Sequence, residues 1–242
     1  MSDRELNKHF RDVKNIHKNE TLILFAPGPS LNEYNESKIL HKDVVYMGVN
    51  GTILHENIRN KLDYYIWSSD IDIPAHPQPG FRPMYNAIPL LKSKTKCYIN
   101  CWTNGSIIHP KFNCQTQLHP QEADKLKGNW KKYNQSTSNN LLTMDIEEGL
   151  NHFTVIMQAL NIALHMGFNR IILVGVDAGG GHSYKDKVKS DKCDWGENGV
   201  SNTLLNTWKR AKVWVQKNYP NVEIINFNPR GLKGIFEELQ CI

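Results

Sequence analysis

The chain has 242 residues, 40% of them hydrophobic and 22% charged, with a formal net charge of +5. This is ordinary globular composition, long enough for one sizeable core, and no stretch reaches the ~20 apolar residues of a membrane span. The charged N-terminus, MSDRELNKHF, lacks the apolar segment of a secretory signal, so a cytoplasmic protein is expected.

Five cysteines, an odd number without framework spacing, point to reduced thiols rather than disulfides. Cys97 and Cys101, with His109 and Cys114 downstream, lack the tight C-x2-C knuckle of a structural zinc site and read as small apolar side chains. The mild positive charge suits an anionic ligand such as a nucleotide and tolerates a nucleic-acid acceptor. Dispersed lysines establish no such acceptor.

Residues 1–19 read as a polar amphipathic helix or a loose arm. TLILF (21–25) is a buried strand of the parallel-sheet kind, broken abruptly by Pro-Gly-Pro-Ser. DVVYMGVNG (43–51) is a second buried run ending in Asn-Gly, and TILHENIRNKL is the helical connection to a third, LDYYIWSSDID (62–72). From 73 to 148 prolines recur and polar residues dominate, interrupted by a short strand near 96–102. Segments 103–148 and 178–202 are expected to be lid or acceptor loops. Val155, Ile156, Ala159, Leu160, Ala163 and Leu164 share one helical face, and Gly167 is placed to cap that helix. A buried strand follows from Arg170 to Asp177, then a helix (203–217), a strand (222–228) and a short terminal helix (231–239). Strand–helix alternation of this kind predicts one α/β domain over 1–242: an open, doubly wound, mostly parallel sheet with a polar central insertion. Ligands of such sheets bind at the carboxyl ends of the strands.

The candidate site residues cluster at those ends. Gly28, Pro29 and Ser30 form a strand-to-helix turn in which glycine permits close approach of a phosphate and the following helix start offers free N–H groups. A tight turn with a serine cap explains the same residues. Asn50 and Gly51 end the second strand, where an amide can read a base or ribose or simply form a turn. Asp70 and Asp72, two apart, are spaced to share a magnesium or manganese ion bridging a diphosphate. Asp177 ends the best-defined strand and faces the crevice as a ribose ligand or base. His182 and Tyr184 in the glycine-rich loop that follows supply an imidazole and a phenol, or decorate a mobile hinge. Trp195, Trp208 and Trp214 suit stacking or core packing. Arg230 is placed to clamp a phosphate or to lie on the surface.

Taken in order, APGPSLNE, GVNGTIL, DYYIWSSDID and ALNIALHMGFNRIILVGVDAGGGHSY resemble the DUF115/MptE-like group (6-hydroxymethylpterin diphosphokinase-like), related to the bacterial family 42 sialyltransferases. The likeness covers 20–72 and 150–240. Its archaeal branch implies an ATP- and magnesium-dependent pterin diphosphokinase with Asp70 and Asp72 as metal ligands. The sialyltransferase branch implies a modified Rossmann fold binding a cytidine nucleotide sugar without metal. Gly28, Pro29 and Ser30 then line the nucleotide site with Asn50, and Tyr184 reaches the phosphate. Gly51 and Ser69 are counted with that site.

Two departures stand out. The family's Gly-Asn-Gly-Pro-Ser-Leu becomes Ala26-Pro27-Gly28-Pro29-Ser30-Leu31, and Asp-Trp-Gly-Glu-Asn occupies 194–198, where the family's histidine base belongs. The base would then fall to His182, Asp177 or Glu197. The expectation is a glycosyltransferase moving a sugar from a CMP-, UDP- or GDP-linked donor to the hydroxyl of a glycan or modified DNA, compatible with a homo-oligomer. The alternatives are the diphosphokinase and a non-catalytic nucleotide-binding protein.

Overall fold

A computed structural model describes residues 8–39, 43–67, 82–101, 130–134, 141–148, 150, 154–179, 183, 202–227 and 231–239. Its frame is one sheet of eight strands: β1 (Thr21–Phe25), β2 (Val44–Val49), β3 (Tyr64–Trp67), β4 (Lys96–Cys101), β5 (Trp130–Asn134), β6 (Arg170–Val174), β7 (Glu223–Phe227) and β8 (Glu237–Leu239). They lie in the order β5-β4-β3-β2-β1-β6-β7-β8, and every pairing is parallel. β1 is therefore central, in register with β2 from Thr21↔Val44 and with β6 from Thr21↔Arg170. Its uninterrupted burial explains the unbroken apolar run, since a central parallel strand presents both faces to helices.

Those faces carry separate cores. Leu22, Leu24, Ile171 and Leu173 pack with the helices α3 (Val155–Met166) and α4 (Asn202–Asn218). Ile23, Phe25, Ile172 and Val174 pack on the opposite face with α1 (Glu56–Arg59) and α2 (Arg82–Ala87). α3 begins where the Thr154 side chain accepts from the Met157 amide and ends on left-handed Gly167 (φ 89°), as its sequence pattern requires.

Two expectations are corrected. Residues 8–19 are neither a loose arm nor an α-helix: a 3-10 turn over Lys8–Val13 buries Phe10 and Val13. The His17 ring stacks on Phe168 at 4.6 Å and bonds the Tyr64 hydroxyl at 2.6 Å. The expected 231–239 helix is a turn followed by β8. Gly234 takes φ +75°, which ends helical propagation, while Leu232, Ile235 and Phe236 are buried and Phe236 sits edge-on to Trp208. Within the polar middle, Trp130–Asn134 pair along β4. Further along the same segment, Leu142 and Ile146 are buried, and the Asn161 amide of α3 clamps Thr143 by donating to its carbonyl and accepting from its N–H, each at 2.8 Å.

Candidate functional site

The chain leaves β1 toward β2 and enters β6 from the far side, so strand order reverses between β1 and β6. Two turns meet there: Ala26-Pro27-Gly28-Pro29-Ser30 after β1, and Gly175-Val176-Asp177-Ala178-Gly179 after β6. The Ala26 N–H continues the ladder to the Val174 carbonyl, and the Gly28 N–H donates to the Gly175 carbonyl, both at 2.8 Å. Glycine is required on each side. A Cβ at Gly28 would lie 2.5 Å from Asp177 Oδ2 and closer still to the Gly175 carbonyl. Gly175 has φ +75°, and a Cβ there would run into the Ala26 carbonyl.

Asp177 is only 5% exposed, and its Oδ2 accepts from the Ser30 N–H at 2.7 Å. Burial pushes its carboxyl above the ordinary range, opposed by the Ser30 hydroxyl and amide. That hydroxyl lies near enough to favour the carboxylate but outside hydrogen-bonding geometry. It is buried with no hydrogen-bond partner among the described residues.

In this geometry the backbone amides of the expected phosphate cradle are engaged within the protein. Residues Pro29–Glu33 form a single 3-10 turn, not a helix with a useful dipole. Gly28 gives its amide to Gly175, Ser30 to Asp177, and Leu31 to the Gly28 carbonyl at 3.0 Å; proline has none to give. Asp177 stands where an anion was expected. The acid is hydrogen-bonded locally by the Ser30 amide.

Asn50 ends β2 in a left-handed conformation (φ 41°), half-buried, with its carbonyl accepting from the Tyr65 hydroxyl at 2.9 Å. Gly51 and Thr52 are buried in the 3-10 turn that follows, Asn50–Leu54. The next residue, His55, was not singled out from the sequence, yet its Nε2 lies 2.8 Å from Ser183 Oγ. Ser183 is itself docked over the β1 turn: its N–H donates to the Pro27 carbonyl at 2.7 Å, and Asn32 Nδ2 donates to its carbonyl at 3.3 Å. Ser183 thus joins the β1 turn to the β2 turn. The sequence signal for His55 was a titratable ring at a strand-end turn, five residues beyond Asn50.

Gly28, Pro29, Ser30, Asn50, Gly51 and Asp177 therefore share one end of the sheet. Ser69, Asp70, Asp72, His182, Tyr184, Glu197, Trp195 and Arg230 lie outside the described residues. Among the described residues, no three His, Cys, Asp or Glu side chains assemble into a metal site. Cys97 is a buried free thiol that burial pushes up to about 12. Trp208 is core, and His165 is buried in α3, bonded to the Phe10 carbonyl at 2.8 Å. At the other end of the sheet, an open depression lined by Glu36, Tyr46, Lys61, Asp63, Lys92 and Lys94 is largely self-paired. There Glu36 is held below the usual carboxylate range by Lys61 first and Tyr46 second.

An all-parallel sheet covered on both faces, with its turns converging at the reversal of strand order, defines an open, doubly wound, Rossmann-like α/β domain. Among the described residues no helix is long and apolar enough to cross a membrane. No family model matches the chain, so none supports the DUF115/MptE-like resemblance, and no curated protein matches it. Solved structures of a sialyltransferase are similar at low identity. The sialyltransferase CST-II with CMP, in a point-variant form, is 14% identical with a TM-score of 0.49, over 86% of this chain and 81% of that one. CST-II with a trisaccharide acceptor and CMP is 13% identical, TM-score 0.46, over 86% and 80%. CstII from Campylobacter jejuni with CMP-3FNeuAc is 14% identical, TM-score 0.45, over 86% and 79%. At these scores the likenesses add no weight to any residue's role; the fold stands on the sheet itself.

Proposed function

We propose that the chain is a glycosyltransferase that binds a nucleotide-sugar donor in the crevice at the carboxyl ends of β1, β2 and β6 and passes the sugar to an acceptor hydroxyl. The observation that carries this reading is the Ser30 hydroxyl: buried at the switch point, without a partner among the described residues, it suits a donor phosphate oxygen. Gly28 and Pro29 form the floor beside it, Asn50 and Gly51 the wall nearest the base or ribose. Asp177 braces the two turns through Ser30 rather than binding phosphate.

In the same reading Ser69 and Tyr184 contact the donor phosphates, Asp70 and Asp72 hold any divalent cation, and His182 or Glu197 stands near the acceptor. The leaving nucleotide is stabilised by hydrogen-bond donors aimed at its phosphate. The acceptor is a glycan or a hydroxyl-bearing base of modified DNA.

A thermal-shift panel of CMP, UDP, GDP and ATP, with and without magnesium or manganese, tests this. A ligand at a hundred times its Kd stabilises by about 2.7 kcal/mol. Stabilisation by CMP, UDP or GDP is expected. A response to ATP with magnesium alone would replace the reading with the diphosphokinase, and silence throughout would make the chain a non-catalytic relative.

A further inference from the structure

The proposed transfer needs a group to take the acceptor's proton, and the described crevice residues narrow the choice. Asp177 is spent on the Ser30 amide and buried. His55 differs. Its backbone is fixed at the start of α1, where its carbonyl accepts from Ile58 and Arg59 at 3.1 and 2.8 Å and its N–H donates to the Thr52 carbonyl at 3.1 Å. Its half-buried ring crosses from the β2 turn to the loop after β6 and meets the Ser183 hydroxyl at 2.8 Å. Ser183 is held over Pro27, beside the turn that carries Ser30. An imidazole with an alcohol at this distance, both on fixed backbone, has the geometry of proton transfer between hydroxyl and base.

Building on the glycosyltransferase reading, we infer that Ser183 and His55 form the proton relay of the site. In the Nδ1–H tautomer, Ser183 Oγ–H donates to His55 Nε2. As the acceptor oxygen attacks the anomeric carbon, its proton passes to Ser183 Oγ while the Ser183 proton passes to Nε2, leaving imidazolium. The new C–O bond forms as the bond from the anomeric carbon to the donor phosphate oxygen breaks, and that electron pair leaves with the nucleotide. The imidazolium then returns its proton to water. Ser183 is the group that meets the acceptor; His55 acts through it and sets the pH at which it works.

The test uses the full chain, the sugar conjugate of whichever nucleotide stabilises it, and water as the probe acceptor, reading nucleotide release against pH. His55→Gln is expected to bind the nucleotide within about twofold of wild type and to release it about 10²-fold more slowly. It should also lose the acid limb of the wild-type rate profile. Ser183→Ala should fall by a similar factor and Ser183→Thr, which keeps the hydroxyl, should recover most of it. Release at the wild-type rate by His55→Gln that still binds nucleotide would overturn the relay alone. Full activity of Ser183→Ala would do the same. Absence of any nucleotide binding by the wild type would overturn the relay together with the glycosyltransferase reading.

Discussion

Replacing Gly28 by alanine isolates the close approach on which the crevice depends. Gly28 has φ −69° and ψ 162°, an extended conformation open to any residue, so alanine adds no backbone strain. The whole effect is steric. The new Cβ would lie 2.5 Å from Asp177 Oδ2 and also meet the Gly175 carbonyl. An ordinary carbon–oxygen approach is about 3.3 Å, and the Gly175 carbonyl is the tighter of the two contacts, so the β1 and β6 turns must part by roughly 1 Å. That stretches the 2.8 Å Gly28–Gly175 and 2.7 Å Ser30–Asp177 hydrogen bonds at a buried carboxylate. Overpacking strain and one weakened buried bond together amount to about 3 kcal/mol. At roughly 2–4 °C per kcal/mol for a domain of this size, the melting temperature should drop by about 6–12 °C.

Gly234→Ala is the control, because it has φ +75° but open space around its Cβ. Backbone strain alone should then lower stability by about 1–2 kcal/mol. Thermal unfolding by circular dichroism reads both. A Gly28→Ala protein melting within about 1 °C of wild type would refute the close-approach reasoning.

Three further outcomes are expected. The Asp177 carboxyl is raised above its ordinary 3.8 by burial, so between the unfolded and folded values the native state binds more protons than the unfolded chain. Stability then falls as pH rises through that window, by at most about 1.4 kcal/mol per pH unit. Asp177→Asn, which still accepts from Ser30, should flatten this slope in urea titrations without weakening the protein at neutral pH; an unchanged slope would show that the carboxyl is not desolvated. His165 behaves oppositely: burial lowers it below 6.5, so its contribution is present above that value and lost as pH falls through the lowered one. His165→Gln should blunt the loss of stability in acid, read by the same titrations. Asn161→Ala leaves the Thr143 N–H and carbonyl without their clamp and should destabilise by about 2 kcal/mol or more in denaturant melts. A negligible effect would return residues 141–148 to the surface.

The central strands were legible because burial on both faces demands apolar runs such as TLILF and RIILV, and Gly167 announced the end of α3. β5 was not, for the opposite reason. Trp-Lys-Lys-Tyr-Asn occupies the sheet's edge, where backbone pairing suffices and charged residues are favoured, so it resembles a solvated loop. Glu237–Leu239 escaped notice as a strand likewise. At the site, Gly28, Ser30, Asn50 and Asp177 stood out as strand-end residues. What their neighbours do to them was invisible, because Ser30 meets Asp177 across 147 positions and His55 meets Ser183 across 128. Local patterns carry no record of such contacts, and so neither the occupied amides nor the imidazole–hydroxyl pair could be read in advance.

The placing of β1 in the middle of a wholly parallel sheet also governs how the chain is made. Its β2 edge can be closed early, but its other edge waits for β6, which lies about 150 residues later. At ~5–20 residues per second a ribosome takes on the order of 10 s to deliver that partner. Throughout that interval a largely apolar strand presents an open row of amides and carbonyls, the surface to which other nascent chains adhere. Yield in a cell should therefore depend on elongation rate and on chaperones that shield the first half, even for variants whose finished fold is as stable as the wild type.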